Sequence, residues 1–236
     1  MVNTPQSVES DKSLPPGLYI VGTPIGNLGD FTFRALETLR AADVILAEDT
    51  RISRRLLIRY EIDKRLVSYH KFNEAKRTDE VVRRIESGEV VALVTDSGMP
   101  GVSDPGARVV RSCREHGLLI TAIPGPSALA TAISLCGIES SGYVFGGFLP
   151  HKSGARKRTL EKLMKAELPV VLYESPYRLL KLMGEVEEII PDVSLFVGRE
   201  LTKKFEECHY GKPAEIVAAY GTRTVKGELV VVINKG

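Results

Sequence analysis

Three short segments combine residues that can bind a small molecule with residues that turn the chain sharply. The first is Val21-Gly22-Thr23-Pro24-Ile25-Gly26-Asn27-Leu28-Gly29-Asp30. Its glycines let the backbone approach a ligand closely. The spacing is not G-x-G-x-x-G, and Pro24 removes an amide that a phosphate cradle would use, so a nicotinamide dinucleotide is disfavoured. The second runs from Val94 through Thr95, Asp96, Ser97, Gly98 and Met99 to Val102, Asp104, Pro105 and Gly106. Asp96 stands at the carboxyl end of an apolar run, where open α/β sheets bind ligands. A carboxylate there accepts hydrogen bonds from a ribose diol or an amine. Asp104 followed by Pro105 has the pattern of a helix N-cap with proline in the first turn, so capping is its plainer role. The third segment is Ile123-Pro124-Gly125-Pro126-Ser127-Ala128-Leu129-Ala130-Thr131. Ser127 can cap the helix that follows, whose first amides suit an anion such as a carboxylate. Its alanines serve tight helix packing equally well.

Two basic clusters stand apart from these loops. Arg51, Arg54, Arg55 and Arg59 lie three and four residues apart, on one helical face. They follow Glu48-Asp49-Thr50, whose acids are placed to cap the helix and orient Arg51. The second cluster, His151-Lys152-Ser153-Gly154-Ala155-Arg156-Lys157-Arg158, follows the run FGGFLP. Such runs are usually solvated faces, and both also suit phosphate contact by Lys152, Arg156, Lys157, Arg158 and the four arginines. The chain has no tryptophan, and with few aromatics near the clusters, base stacking is expected to be minor.

The elements that must carry these segments follow from periodicity. β-branched runs at 18–21, 44–47, 66–69, 90–95 and 119–123 alternate with helical spacing at 31–40, 52–60, 73–87 and 105–116. Strands separated by helices predict a mostly parallel, buried sheet. After a helix at 127–136, runs at 143–148, 170–173, 194–197, 206–210 and 228–233 are joined partly by connections too short for a helix. Helices are expected at 156–165, 177–188 and 214–220, and the second sheet is expected to be mixed. The reading is a tail over 1–16, an N-terminal α/β domain over 17–124 and a C-terminal α/β domain over 125–236.

Composition bounds the rest. The 236 residues are 43% hydrophobic and 26% charged, with a net charge of +2, ordinary for a globular protein and not by itself the mark of a nucleic-acid binder. Neither a membrane span nor a signal pattern is recognisable. Cys113, Cys136 and Cys208 show neither metal spacing nor a disulfide framework, which fits a reducing cytoplasm.

The stretches LYIVGTPIGNLGD, ILAEDTR, LVTDSGMPGVSDPGARVV, IPGPSALATA, FGGFLP, LYESPYRL and GRELTKKFEE, running in order from Leu18 to Glu207, carry a resemblance. The chain resembles the tetrapyrrole methylase superfamily, and within it the branch that 2′-O-methylates a cytidine of bacterial small-subunit ribosomal RNA. The resemblance implies two α/β domains with S-adenosylmethionine in the cleft between them, and a homodimer. It implies cofactor contacts at Pro24, Asp96, Ser97, Gly98, Val102, Ser127 and Ala128, and more loosely near Phe148, Glu174 and Glu200. Tetrapyrrole-modifying relatives usually carry G-x-G-P-G and G-G-D-P loops; this chain has GTPIG and DSGMP instead, which argues against a porphyrin-type substrate and for the RNA branch. The resemblance further implies a cytidine in the decoding region of the assembled small subunit. Methyl transfer needs alignment and exclusion of water, with no metal. A base for the ribose hydroxyl would help. Its candidates are Asp96, His70 and Lys152, each with a plainer role: cofactor binding, ending a strand, touching phosphate. A methyltransferase acting on a small tetrapyrrole-like molecule and a non-catalytic RNA-binding assembly factor are the alternatives.

Overall fold

The computed structural model describes residues 14–190, 192–222 and 224–235, so most of the expected tail over 1–16 lies outside them. Two compact units divide the chain. One takes residues up to Gly22 together with Thr32–Pro124. The other takes Thr23–Phe31 and Gly125 onward. Thr23–Phe31, expected in the first domain, therefore groups with the second unit.

The first unit is built from β1 (Gly17–Val21), α1 (Phe33–Ala41), β2 (Val44–Ala47), α2 (Thr50–Arg59), β3 (Arg65–Ser68), α3 (Glu74–Glu86), β4 (Val90–Val94), α4 (Ala107–Glu115) and β5 (Ile120–Ile123). Its five strands are ordered β3-β2-β4-β1-β5 and every pair is parallel. All five residues of β4 are buried, as a strand covered on both faces must be. The period of two sorts the side chains. Leu18, Ile20, Leu46, Val91 and Leu93 pack with Val81, Val82 and Ile85 of α3 and Val109 and Cys113 of α4. Tyr19, Val21, Ile45, Ala92 and Val94 are buried as well, one residue out of phase, on the face that α1 approaches through β1 and β4.

The second unit contains α5 (Ala128–Cys136), β6 (Val144–Phe148), α6 (Ser153–Met164), β7 (Val170–Glu174), α7 (Leu179–Ile189), β8 (Val193–Arg199), β9 (Glu207–Gly211), α8 (Pro213–Tyr220) and β10 (Leu229–Lys235). Its sheet order is β6-β7-β10-β8-β9. β6 and β7 are parallel, and the β7–β10, β10–β8 and β8–β9 pairs are antiparallel. The mixed sheet follows from the short links that carry no helix. Leu229, Val231 and Ile233 face α6, α7 and α8 through Leu160, Leu182, Val186 and Ile216. Val230 and Val232 face the other way, onto Ala132 and Cys136 of α5.

Arg156 corrects an expectation. It was grouped with phosphate-binding residues, yet its side chain is 1% exposed. Its Nε and Nη2 donate to the two oxygens of Glu185 at 2.5 and 2.6 Å, and Nη1 donates to the His151 carbonyl at 3.0 Å. Ser153 completes the carboxylate's shell at 2.6 Å. Burial works to raise the Glu185 carboxyl, and the hydrogen bonds from Arg156 and Ser153 outweigh it, holding the group below the usual range. This guanidinium ties α6 to α7 and cannot reach RNA. Removing one partner of such a pair strands a buried charge and costs about 3–5 kcal/mol. Glu185→Ala should lower the unfolding free energy by about that amount in urea titration. The double replacement Arg156→Met with Glu185→Leu should recover most of it; equal losses in both variants would contradict the account.

Candidate functional site

In the first unit, parallel pairing sets the ends of β2 and β4 side by side, with Ala47 opposite Val94. The next residues, Glu48 and Asp49 after β2 and Thr95 and Asp96 after β4, therefore leave the sheet at one edge. Asp96 Oδ1 accepts the backbone N–H of Asp49 at 3.0 Å, which locks the two loops together. Asp49 caps α2 as expected, accepting the Arg51 N–H at 2.8 Å and pairing with its guanidinium at 2.6 Å. Those hydrogen bonds hold the Asp49 carboxyl far below the usual range.

The other carboxyls at this edge shift the opposite way. Burial raises Glu48, and the charge of Asp96 adds to it. Burial likewise raises Asp96, only partly offset by the Asp49 N–H. Asp104 is pushed up to about 7, first by burial and then by the like charges of Glu48 and Asp96. Asp104 is not the helix cap its neighbour Pro105 suggested. Helix α4 starts at Ala107 with Gly106 as N-cap at φ +139°, and no side chain caps it. A Cβ at Gly106 would also meet Leu93 Cδ2 at 3.0 Å, so glycine is required there for both conformation and space. The loop between carries Asp96, Ser97, Gly98 and Val102, four of the expected cofactor residues, on one turn of chain.

His70 lies at the same edge, and its charge acts on Glu48. Its Nδ1 accepts the backbone N–H of Phe72 at 3.2 Å. That nitrogen is engaged in holding the turn, which counts against it as the atom that takes a substrate proton. Lys152, exposed at the start of α6, belongs to the second unit.

That unit gathers its own set. The register aligns Phe148 with Tyr173, and Glu174 with Leu229, Arg199 and Glu207, in rows along one edge of the sheet. Phe148 is 60% exposed and stands edge-on to Tyr173 at 5.5 Å. Glu174 is buried; its Oε1 pairs with Arg178 at 2.5 Å and accepts the Ser175 N–H, while Oε2 is buried without a partner. Thr202 Oγ1 is in the same state, on a β-branched residue held at φ +67°, a strained conformation. Glu200 is engaged within its loop, accepting from Lys203 at 2.8 Å and from the Glu228 N–H at 2.9 Å. Ser127 caps α5, accepting the Ala130 N–H. Ala128 packs in the cluster that holds Tyr173 and Leu201. Pro24 is buried in the segment that groups with this unit.

Of the basic residues, Arg51, Arg54, Arg55 and Arg59 are all exposed on α2, whose Ser53 and Leu57 are buried. Lys152 and Arg158 are exposed, and Lys157 pairs with Glu188. Sequence reasoning missed Glu48 and Asp104 as part of the electrostatics at the Asp96 edge. The signal for Glu48 was its place immediately after a strand, the same argument that singled out Asp96. No group of His, Cys, Asp and Glu among the described residues is placed to hold a metal ion, and no helix among them is long and apolar enough to cross a membrane.

The raised Asp104 has a consequence for stability. The folded state keeps its proton from the ordinary value of 3.8 up to about 7, so stability is complete at low pH and falls as pH rises through that window. Asp104→Asn should match the wild type near pH 4 and exceed it above pH 7 in urea midpoints. A difference that is independent of pH would contradict the assignment.

Comparison with known proteins agrees with this architecture. Residues 17–217 match the model of the Tetrapyrrole (Corrin/Porphyrin) Methylases. The ribosomal RNA small subunit methyltransferase I of Thermotoga maritima is 44% identical over 217 residues, 92% of this chain and 97% of that protein. The protein of that name from Bacillus subtilis is 40% identical over 92% of this chain and 74% of its own. Among solved structures, diphthine synthase superposes with a TM-score of 0.71 at 16% identity, covering 92% of this chain and 89% of its own. A uroporphyrin-III C-methyltransferase from Thermus thermophilus, complexed with S-adenyl homocysteine, gives 0.64 at 19% identity over 93% and 97% of the two chains. By a match that spans both units, the chain belongs to the tetrapyrrole (corrin/porphyrin) methylases.

Proposed function

We propose that the protein transfers a methyl group from S-adenosylmethionine to the ribose 2′-hydroxyl of a cytidine in the decoding region of small-subunit ribosomal RNA, acting on the assembled subunit. The observation that carries this reading is 40–44% identity, along more than nine-tenths of the chain, to relatives named ribosomal RNA small subunit methyltransferase I. Cytoplasmic location and a homodimer belong to the same reading.

The donor set fits the cofactor. Its amine and hydroxyl groups need acceptors that the fold has left over, and the partnerless oxygens Glu174 Oε2 and Thr202 Oγ1 are of that kind. Asp96 has one oxygen committed to Asp49 and the second available. Asp96, Ser97, Gly98 and Val102 are the cofactor residues proposed in the first unit, and Pro24, Ser127, Ala128, Phe148 and Glu174 those proposed in the second. Glu200 would act through its loop. When bound, S-adenosylmethionine supplies a methyl carbon on a sulfonium, which leaves as a neutral thioether. The residues must orient the acceptor, exclude water and dispose of one hydroxyl proton. Asp104, half protonated near neutral pH, is matched to receive such a proton.

On the RNA side, the exposed arginines of α2 give phosphate contacts that a small substrate would not need. Lys152, Lys157 and Arg158 would add to them. This basic face favours RNA over a small tetrapyrrole-like molecule, and the retained acceptors favour an enzyme over a binding factor.

Asp96→Ala should abolish S-adenosylmethionine binding in isothermal titration; wild-type affinity would remove the central cofactor assignment. Charge reversal at Arg54 and Arg55 should leave that affinity intact and cut methyl transfer to small subunits at least roughly tenfold. The slope of log K for RNA against log salt should fall by about 1 for each lost contact. Undiminished transfer would exclude α2 as the RNA face.

A further inference from the structure

Phe33 and Phe72 are the two most exposed aromatic rings described in the first unit, and Phe72 is the one that stands beside the Asp96 edge. Phe72 is 93% exposed, in the turn that links β3 to α3. The turn itself is firmly held. Tyr69 is fully buried and its hydroxyl meets Thr78 Oγ1 at 3.1 Å. The His70 N–H donates to Asn73 Oδ1 at 2.8 Å, and Asn73 Nδ2 donates back to the Ser68 carbonyl at 3.1 Å. The amides of Asn73 and Glu74 both donate to the His70 carbonyl at 2.9 Å, and that of Phe72 to His70 Nδ1. A turn pinned on every side, with a bare phenyl projecting from it, presents that ring in a fixed place and forgoes its burial.

Its place is the edge already described. Ser68 pairs with Ala47, the residue before Glu48, and the His70 ring lies 6.0 Å from Phe72 at 66°. His70 and Asp96 both act electrostatically on Glu48, and Glu48 and Asp96 on Asp104. Lys71, the ring's neighbour in sequence, is exposed, as are Lys76 at the start of α3 and Arg51 at the start of α2. An exposed aromatic face on a loop that carries a lysine is the chemistry that receives a nucleobase while a phosphate is neutralised.

We propose that Phe72 is a stacking platform for an unpaired base of the RNA substrate, beside the nucleotide that is methylated. This rests on the RNA reading above and reverses the expectation that stacking is minor. Few aromatics are needed when one is placed at the site.

The test compares Phe72→Ala and Phe72→Trp with the wild type. Measured are methyl transfer to unmodified small subunits at saturating cofactor, affinity for a fluorescent single-stranded RNA, S-adenosylmethionine affinity and sedimentation. Phe72→Ala should fold as the wild type does, because the ring is exposed. It should keep cofactor affinity and sedimentation, and lose about 5- to 100-fold in kcat/KM and in RNA affinity, the effect of removing one stacked base. Phe72→Trp should retain or improve both. Losses within twofold for Phe72→Ala, or equal losses for Ala and Trp, overturn the proposal. A changed sedimentation coefficient assigns the ring to a protein contact and overturns it too. If the wild type methylates subunits and only the Phe72 prediction fails, the RNA reading stands; if the wild type transfers nothing to RNA, both fall.

Discussion

Because β1 to β5 all run in one direction, every loop that follows a strand of the first sheet leaves at the same edge. That constraint crowds carboxyls together whether or not their charges agree. Glu48 and Asp96 come from neighbouring strands, and Asp104 sits farther along the Asp96 loop. One hydrogen bond, from the Asp49 amide to Asp96, partly offsets the effect of burial on that carboxyl. All three shift upward, first through burial and then through like charges nearby. Crowding of this kind pushes Asp104 up to about 7.

The second sheet reaches a comparable end by another route. Its antiparallel pairs do not send all loops one way, yet the register still brings Phe148, Tyr173, Glu174 and the turn after Arg199 to one edge. There the sign of unfinished business is different: buried oxygens on Glu174 and Thr202 without partners, and positive φ at Glu200 and Thr202. Buried acceptors are ordinarily satisfied, so these two oxygens are the acceptors this edge retains.

Much of the fold was legible because buried parallel strands read as continuous apolar runs and helices as periodic ones. Val44–Ala47 and the helix ending at Cys136 appear where the pattern placed them. What was not legible depended on contacts distant in sequence. Asp104-Pro105 imitates a cap locally, whereas the helix starts later, with Gly106 as its N-cap, where the close approach of Leu93 and a positive φ require glycine. Arg156 reads as one more cation in a basic run, and only Glu185, in another helix, reveals it as buried. Phe72 could be counted in the sequence but not seen to be exposed. The site residues Asp96 and Ser127 were recognisable because strand-end and helix-start positions have local signatures. The like-charge coupling of Glu48 to Asp104 has none.

The central claim is chemical: the acceptor is a ribose oxygen of small-subunit RNA. The most direct measurement is transfer of a radiolabelled methyl group to small subunits that lack native modification, followed by alkaline hydrolysis and nuclease mapping. A 2′-O-methyl group blocks cleavage of the adjacent phosphodiester, so the account predicts label in an alkali-resistant dinucleotide that begins with cytidine. Label released in mononucleotides would place the methyl on a base. No label from a protein that binds S-adenosylmethionine would contradict the RNA assignment altogether.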